Sequence, residues 1–260
     1  MSSAESQTDT SSTPKPKSES GGVWSFIREI AIVLVSALIL SVVVRTFFIQ
    51  AFYVPSESME NVLMPNDRIL ASKITTAITG VGRGEVVVFK DPGGWLPDPD
   101  PSGIGPVHKA LEFVGLLPSR SGDDLVKRVI GISGDHVMCC TPTGKIVLNG
   151  VVLDEPFIKP GGGTDQIQFD VTVPANNIFV MGDNRGASAD SRFHLQNNSG
   201  GVPLDNVVGQ VVIKVWPLNE WGTVGVPKTF ENPDLNNQSA PMPTPATAQR
   251  EARTAGSASP

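Results

Sequence analysis

Two closely spaced serines could supply a nucleophile. The stretch "YVPSESMENVLMPNDRIL" (residues 53–70) places Ser56 and Ser58 on either side of a glutamate, directly after a proline. A serine hydroxyl is a poor nucleophile until a neighbouring group removes its proton. The first question is therefore which side chain could act as the base for one of these serines.

Histidine is the usual base for a serine nucleophile, and a carboxylate usually orients it. The three histidines, His108, His136 and His194, lie in separate segments that carry no other catalytic signal. The chain also has no G-x-S-x-G motif, which would present a serine at a strand-to-helix turn. A histidine triad stays open as an alternative, but no pattern in the sequence favours it.

A lysine can act as the base if burial removes the proton from its ammonium group near neutral pH. In "DLVKRVIGISGD" (residues 124–135), strand alternation places Leu125, Lys127 and Val129 on one face. Lys127 is therefore flanked by aliphatic side chains and is the candidate base. Arg128 is excluded because its guanidinium group keeps its proton in proteins. In the alternative interpretation, the Lys127 stem lies along the sheet and its ammonium group reaches water.

A third segment, "MGDNRGASADSRF" (residues 181–193), concentrates polar and charged side chains just after a predicted strand. Such density at a strand end is typical of a hydrogen-bonded loop that supports a site, and it is equally typical of a solvated loop. Composition alone does not separate these two interpretations.

The elements that must position these residues are mostly strands. Period-two apolar patterns predict strands at residues 68–73, 85–90, 125–131, 136–141, 167–173, 177–182 and 207–218. "KIVLNGVVL" places Asn149 and Gly150 between apolar runs, a strong signal for a β-hairpin. We therefore predict a mainly β domain.

One long apolar run precedes the strands. Residues 30–44 contain neither a charge nor a helix breaker, and as a helix they would cover roughly 22 Å of a hydrocarbon core ~30 Å thick. Flanking aromatic residues and the long arginine side chains can complete the span. Lys15, Lys17 and Arg28 precede the run, whereas only Arg45 follows it closely, so we expect the N-terminus in the cytoplasm.

Two other interpretations of this run are a buried core helix and a cleavable signal peptide. A cleavage site needs small residues in an A-x-A-like pattern, but "VVVRTFFIQAFYVP" has large residues at the required positions. We therefore favour an uncleaved anchor. Phe47, Phe48, Phe52 and Tyr53 could lie in the membrane interface or pack around the end of the helix.

Composition limits the remaining possibilities. The 260 residues suffice for one domain plus tails, and a net charge of −6 without a long basic run argues against nucleic acid as a partner. Cys139 and Cys140 are adjacent, so we expect no disulfide framework; two thiols are the simpler interpretation and a vicinal disulfide is the alternative. No metal-ligand spacing occurs, and we expect neither a metal nor a cofactor.

Together these segments resemble bacterial type I signal peptidase, a membrane-anchored serine protease that removes signal peptides from exported proteins. The family's four boxes occur in order as "PSESM" (55–59), "RGEVVVFKDP" (83–92), "VKRVIGISGDHV" (126–137) and "GDNRGASADSR" (182–192). The resemblance covers residues 24–218. It implies an antiparallel β catalytic domain tethered by one N-terminal transmembrane helix.

The resemblance also implies roles for individual residues. Ser58, which precedes Met59 in the P-S-x-S-M pattern, would be the nucleophile and Lys127 the general base. Ser56 would join the backbone N–H of Ser58 in the oxyanion hole, and Ser188 would orient the lysine. The residues implied as structural support are Asp183, Arg185, Asp190 and Arg192. The residues implied to line shallow pockets for the substrate are Val54, Pro55, Met59, Leu63, Leu125 and Val126.

The resemblance further implies a substrate and a location. The enzyme would cleave signal peptides from secreted preproteins after small residues at −1 and −3. It would be a monomer in the plasma membrane, in contact with the lipid bilayer, with its catalytic domain on the extracytoplasmic side. The predicted organisation is a disordered cytoplasmic tail (1–22), an anchor (23–49), a catalytic domain (50–220) with an insertion (91–124), and a mostly disordered C-terminal tail (221–260).

One departure from the family pattern concerns the residues after Met59. The family usually continues x-Pro-Thr-Leu, whereas this chain continues Glu60, Asn61, Val62 and Leu63, so backbone stiffness and pocket shape could differ. Two alternatives remain at this point. A LexA-like self-cleaving protein also uses a Ser–Lys dyad, but it would need a cytosolic location and a DNA-binding domain. A non-enzymatic, membrane-tethered β module would not need the nucleophile, lysine and last boxes together.

Overall fold

A computed structural model describes residues 22–97, 124–164 and 167–236. The α-helices span Gly22–Phe47 (α1) and Lys73–Thr79 (α2). The strands span Ile49–Tyr53 (β1), Arg68–Ser72 (β2), Val86–Lys90 (β3), Asp124–Ile132 (β4), His136–Cys139 (β5), Ile146–Leu148 (β6), Val151–Val152 (β7), Phe169–Thr172 (β8), Asn177–Met181 (β9), Val202–Pro203 (β10), Val207–Trp216 (β11) and Gly222–Thr223 (β12). The N-terminal tail predicted to be disordered, most of the predicted insertion and the end of the C-terminal tail lie outside the described residues.

Helix α1 carries the apolar run. Its segment Trp24–Val44 has a mean hydropathy of 2.5, and none of the residues in its most apolar window is buried. At 1.5 Å per residue this segment is about 31 Å long, which matches the thickness of a hydrocarbon core. The chain divides into two compact units between Leu40 and Ser41, so most of α1 forms one unit and the β domain the other.

The larger sheet has eight strands in the order β1-β2-β11-β3-β4-β9-β10, with β12 paired to β11, and all its pairs are antiparallel. Strand β4 lies between β3 and β9, where Lys127 is opposite Val87 and Arg128 is opposite Met181. The candidate lysine therefore stands in an interior strand of the sheet.

The smaller sheet has four strands in the order β7-β6-β5-β8. Asn149 and Gly150 adopt φ angles of 51° and 84° between β6 and β7, which confirms the predicted hairpin. Cys139 and Cys140, at the end of β5, are joined by a disulfide. The structure thus has the vicinal disulfide rather than the two thiols that the sequence favoured.

Strand β4 is buried on both faces. Seven of its nine residues are buried, and its apolar side chains enter all three core clusters. Leu125 and Val129 belong to one cluster, Val126 to a second and Ile130 to a third. This two-sided packing places the charged pair between Val126 and Val129 inside the protein.

The predicted mainly β class is confirmed, and every predicted strand has a counterpart. Among the helices and strands of the described residues, four were not predicted: strands β1, β10 and β12 and helix α2. Strand β1 begins at Ile49, which the sequence assigned to the anchor. Helix α2 is rich in β-branched residues that disfavour helix, but Ser72 caps it by accepting a hydrogen bond from Thr75 N at 3.3 Å.

Residues 221–236 belong to the β domain, whereas the sequence-based boundary placed them in the tail. Phe230 and Leu235 are buried in the same cluster as Ile130. Gly84 allows the close approach of Phe230, because a Cβ atom at Gly84 would lie 2.5 Å from the phenylalanine ring. These two apolar side chains help to anchor the segment despite its polar, proline-containing composition.

Candidate active site

The candidate nucleophile lies in the connection between β1 and β2. Just before it, Val54 exchanges backbone hydrogen bonds with Asp67 and Asn66, at 3.0 and 2.9 Å, and so closes the base of the loop. A 3-10 turn, Glu57–Met59, then carries Ser58 into the protein, where its side chain is 6% exposed. The tightly paired strands thus fix the position of the turn.

Lys127 extends from β4 to this serine. Its Nζ atom lies 2.6 Å from Ser58 Oγ and 3.1 Å from the carbonyl oxygen of Val126. The lysine is 3% exposed, so the contact is shielded from water. The distance between Nζ and Oγ is within the range required for direct proton transfer to a general base.

The pKa of Lys127 is lowered from 10.5 to about 8. Burial is the main cause, because it disfavours the charged ammonium form. The negative charges of Asp190 and Asp183 oppose this shift, and the positive charge of Arg192 adds to it. A neutral amine is therefore accessible near physiological pH.

Ser56 lies beside the candidate nucleophile. Its Oγ atom is 3.2 Å from Ser58 Oγ, and the residue is exposed to solvent. The structure therefore brings both serines of the first box together with Lys127, with one hydroxyl buried and the other open to the surface.

Among the described residues, no hydrogen bond joins Ser188 to Lys127, which the resemblance implied that it orients. Its buried Oγ atom lies near the Asp190 carboxylate, to which it contributes a stabilising interaction. Lys127 instead donates to Ser58 and to the Val126 carbonyl. A Cβ atom at Gly182 would lie 2.3 Å from Ser188 Oγ and 2.4 Å from the Ser58 carbonyl oxygen, so these two serines enclose Gly182.

The loop after β9 is held together by buried charged groups. Asp190 accepts hydrogen bonds from the Gly182 N–H at 3.0 Å and from two nitrogens of Arg192 at 2.8 and 2.9 Å. Burial alone would raise the pKa of Asp190, but the bonds and charge of Arg192 outweigh burial and lower it. Arg192 also donates to the Arg185 carbonyl oxygen at 2.8 Å. These contacts fix the backbone that lies against Ser58.

A second buried ion pair ties β4 to this loop. Arg128 binds both carboxylate oxygens of Asp183, at 2.8 and 2.7 Å, and both side chains are 1% exposed. Arg185 pairs with Glu155 at 2.5 Å and donates to the Gly182 carbonyl oxygen at 3.0 Å. Asp183 and Arg185 thus connect the loop after β9 to β4 and to the segment that carries Glu155.

Sequence reasoning missed Arg128 and Glu155. Arg128 was considered only as a base and rejected, yet an arginine inside a strand buried on both faces needs a buried acidic partner. That requirement could have predicted its link to Asp183. Glu155 carried no comparable signal, because it lies in a loop after the hairpin.

The predicted pocket residues separate into three groups. Val54, Met59, Leu63 and Val126 pack in one core cluster around the nucleophile turn, which is the stretch of residues 57–63 that carries Ser58. Leu125 belongs to a different cluster, and Pro55 is exposed. The structure therefore brings four of the six together.

The described histidines do not complete a triad. His136 pairs with Asp170 at 2.5 Å, and the ring of His194 stacks on Trp95 with 4.4 Å between centroids. Neither hydrogen-bonds to Ser58 within the described part of the chain, and His108 lies outside it. In residues 22–97, 124–164 and 167–236, no cluster of three His, Cys, Asp or Glu side chains could hold a metal ion.

The amino-acid sequence matches a known family. The family described as signal peptidase, peptidase S26, matches residues 27–216. The chain is 37% identical over 246 residues to a probable signal peptidase I of Mycobacterium leprae (strain TN), covering 82% of each chain. It is 35% identical over 225 residues to the signal peptidase I of Mycobacterium tuberculosis (strain CDC 1551 / Oshkosh), covering 77% of this chain and 76% of the relative.

A solved signal peptidase I structure from Enterococcus faecalis aligns with 50% of this chain and 95% of its own, with 24% identity and a TM-score of 0.32. The family assignment rests on the sequence matches, which extend over most of the chain. They show that the chain belongs to the signal peptidase I family, whose members are hydrolases of the peptidase S26 type.

Proposed function

We propose that this signal peptidase cleaves its substrates with Ser58 as the nucleophile and Lys127 as the general base. The observation that carries the proposal is the 2.6 Å distance between Lys127 Nζ and Ser58 Oγ in a buried site. The lowered pKa of Lys127 supports it, because only the neutral amine can accept a proton. The LexA-like alternative and the non-enzymatic alternative do not fit a chain of this family.

The reaction would follow acyl-transfer chemistry. Neutral Lys127 takes the proton of Ser58 as its oxygen attacks the carbonyl carbon of the −1 residue. The Ser58 N–H and the Ser56 hydroxyl stabilise the oxyanion, an effect of roughly 3–4 kcal/mol for one such donor in a related peptidase. The ammonium form of Lys127 then protonates the leaving amine, and water hydrolyses the ester with the lysine again acting as the base.

We infer that the apolar cluster beneath the turn sets the preference for small residues at −1 and −3. Val54, Met59 and Leu63 are at most 2% exposed, so the surface next to Ser58 is backed by a filled core. A filled core leaves little depth for a large side chain. Pro55 and Leu125 stay predicted contributors on the strength of the resemblance.

We also infer that Trp24–Val44 anchors the enzyme, with the N-terminus in the cytoplasm and the catalytic domain across the plasma membrane. The length and hydropathy of the segment support a span, and the excess of basic residues before it supports the orientation. Signal peptides are apolar, so confinement of enzyme and substrate to one bilayer would raise their effective concentration.

The experiment that tests this function uses the full chain in detergent with a preprotein that carries an A-x-A cleavage site. We expect Ser58→Ala, Lys127→Ala and Lys127→Arg each to reduce cleavage by at least about 10³-fold, since a nucleophile or its base is lost. Lys145→Met, which removes only an exposed ion pair with Asp154, is the matched control. Substantial cleavage by purified Ser58→Ala enzyme would contradict the proposal.

A further inference from the structure

The segment "EPFIK", residues 155–159, lies outside the four boxes that carry the family resemblance. It follows β7 and crosses from the smaller sheet toward the candidate active site. Residues of this segment contact the nucleophile turn, the neighbour of the lysine in β4, and the loop after β9. One short segment therefore contacts the turn that carries Ser58, the strand that carries Lys127 and the loop that packs against both.

Two side chains connect the nucleophile turn to this segment. Asn61 Nδ2 donates to the carbonyl oxygens of Phe157 and Ile158, at 2.8 and 3.3 Å. The carboxylate of Glu60 pairs with Lys159. The same carboxylate accepts a hydrogen bond from Asn184 Nδ2 at 3.3 Å, which links it to the loop after β9.

The backbone of Asn61 shows why these side chains matter here. Its φ is 91°, a conformation that glycine and asparagine adopt far more readily than other residues. Proline, which the family pattern has at this position, cannot adopt it, because its ring locks φ near −65°. In this chain, hydrogen bonds and an ion pair of side chains therefore hold the turn. In the family pattern, the ring of a proline would stiffen the backbone at the same position.

The other end of the segment is tied to the lysine strand and the supporting loop. The guanidinium of Arg128 lies 4.5 Å from the centre of the Phe157 ring. Lys159 N donates to the Asp183 carbonyl oxygen at 2.8 Å, and Glu155 pairs with Arg185 at 2.5 Å. These anchors are largely buried, so the segment has a fixed position from which to hold the turn.

We propose that the 155–159 segment is a positioning element that, through Asn61 and Glu60, holds Ser58 at hydrogen-bond distance from Lys127. The inference rests on the proposed Ser–Lys dyad. The Lys159 side chain is 44% exposed, so its pair with Glu60 adds little to folding stability. Loss of these contacts should therefore appear in the rate of the chemical step more than in the unfolding transition.

The test compares Asn61→Gly, Glu60→Ala and Lys159→Ala with the wild-type full chain in detergent. Glycine tolerates the φ of residue 61, so Asn61→Gly removes the two side-chain bonds without backbone strain. We expect its kcat to fall about ten- to a hundredfold, because small displacements of reacting groups have effects of this size. KM for the A-x-A preprotein should stay within about twofold, since the Asn61 side chain binds the 155–159 segment and is not one of the proposed pocket residues.

A double-mutant cycle checks the ion pair. Glu60→Ala combined with Lys159→Ala should lower kcat by less than the product of the two single effects, since both remove one shared contact. Lys145→Met is again the control, because its pair with Asp154 lies nearby but does not reach the nucleophile turn; it should keep wild-type kcat.

The outcomes separate this inference from the proposed function. Wild-type kcat in Asn61→Gly, with Ser58→Ala inactive, would overturn the positioning role and leave the dyad intact. A lower unfolding temperature with unchanged kcat at 25 °C would also overturn it, since the segment would then only stabilise the fold. Cleavage by Ser58→Ala would instead show that the dyad itself is wrong.

Discussion

Two adjacent cationic residues of β4 illustrate how local environment decides chemistry. Within the part of the chain that the structure describes, no carboxylate hydrogen-bonds to Lys127, so burial lowers its pKa to about 8 and makes it usable as a base. Arg128, the next residue, is 1% exposed and is matched by the Asp183 carboxylate. Lys127 can therefore lose its proton near neutral pH, whereas the charge of Arg128 is retained and balanced by Asp183.

Substitution of Gly182 tests whether close packing beside Ser58 is needed for activity. Gly182→Ala should reduce cleavage at least about tenfold, because the added methyl group would displace Ser188 and the carbonyl of Ser58. Gly225→Ala is the control, since a Cβ atom there meets nothing within 4 Å. Measured kcat/KM for both variants checks the prediction, and equal activity of the two would contradict it.

Strand β4 can hold Lys127 and Arg128 in a buried site because core clusters pack against both of its faces. The strand brings Lys127 to the nucleophile turn, and its Arg128 side chain fastens the loop after β9. The Arg128–Asp183 ion pair thus links β4 to the loop after β9.

Asp183→Asn should leave the Arg128 charge buried and uncompensated. We expect the free energy of unfolding to fall by about 3–5 kcal/mol, the usual range when one partner of a buried ion pair is removed. Asp154→Asn should change it by less than about 1 kcal/mol, because its pair with Lys145 is exposed. Urea unfolding followed by tryptophan fluorescence measures the free energy of unfolding of both variants. Equal losses of stability would contradict a stabilising role for the Arg128–Asp183 pair.

Local sequence patterns predicted the strands and made Lys127 a candidate base, whereas its pairing with Ser58 was implied by the resemblance to the family. Period-two alternation located β4 and its lysine, and Asn149–Gly150 located the hairpin. The packing of residues 221–236 and the contacts of Glu155 depend on chain segments far apart in sequence, so no local pattern could predict them. Ser188 was assigned by resemblance, and its hydrogen-bond partners depend on the three-dimensional packing of the loop after β9.

At the scale of the whole molecule, the proposed anchor determines where the enzyme can meet its substrates. Helix α1 is long and apolar enough to span a bilayer. The basic residues that precede it outnumber those that follow, which favours a cytoplasmic N-terminus.

Protease added to intact spheroplasts tests this orientation. We expect the β domain to be digested, while an epitope fused to the N-terminus stays intact until the cells are lysed. A cytoplasmic protein should be protected throughout as a control for membrane integrity. Protection of the β domain together with digestion of the N-terminal epitope would contradict the proposed orientation.

The pH dependence of kcat/KM distinguishes a lysine base from a histidine base, because it reports the ionisation of groups in the free enzyme. The active form requires neutral Lys127, so activity should be low at acidic pH, rise through an apparent pKa of about 8 and then level off. A profile that instead rises through a pKa near 6.5, the ordinary value for histidine, would contradict a lysine base.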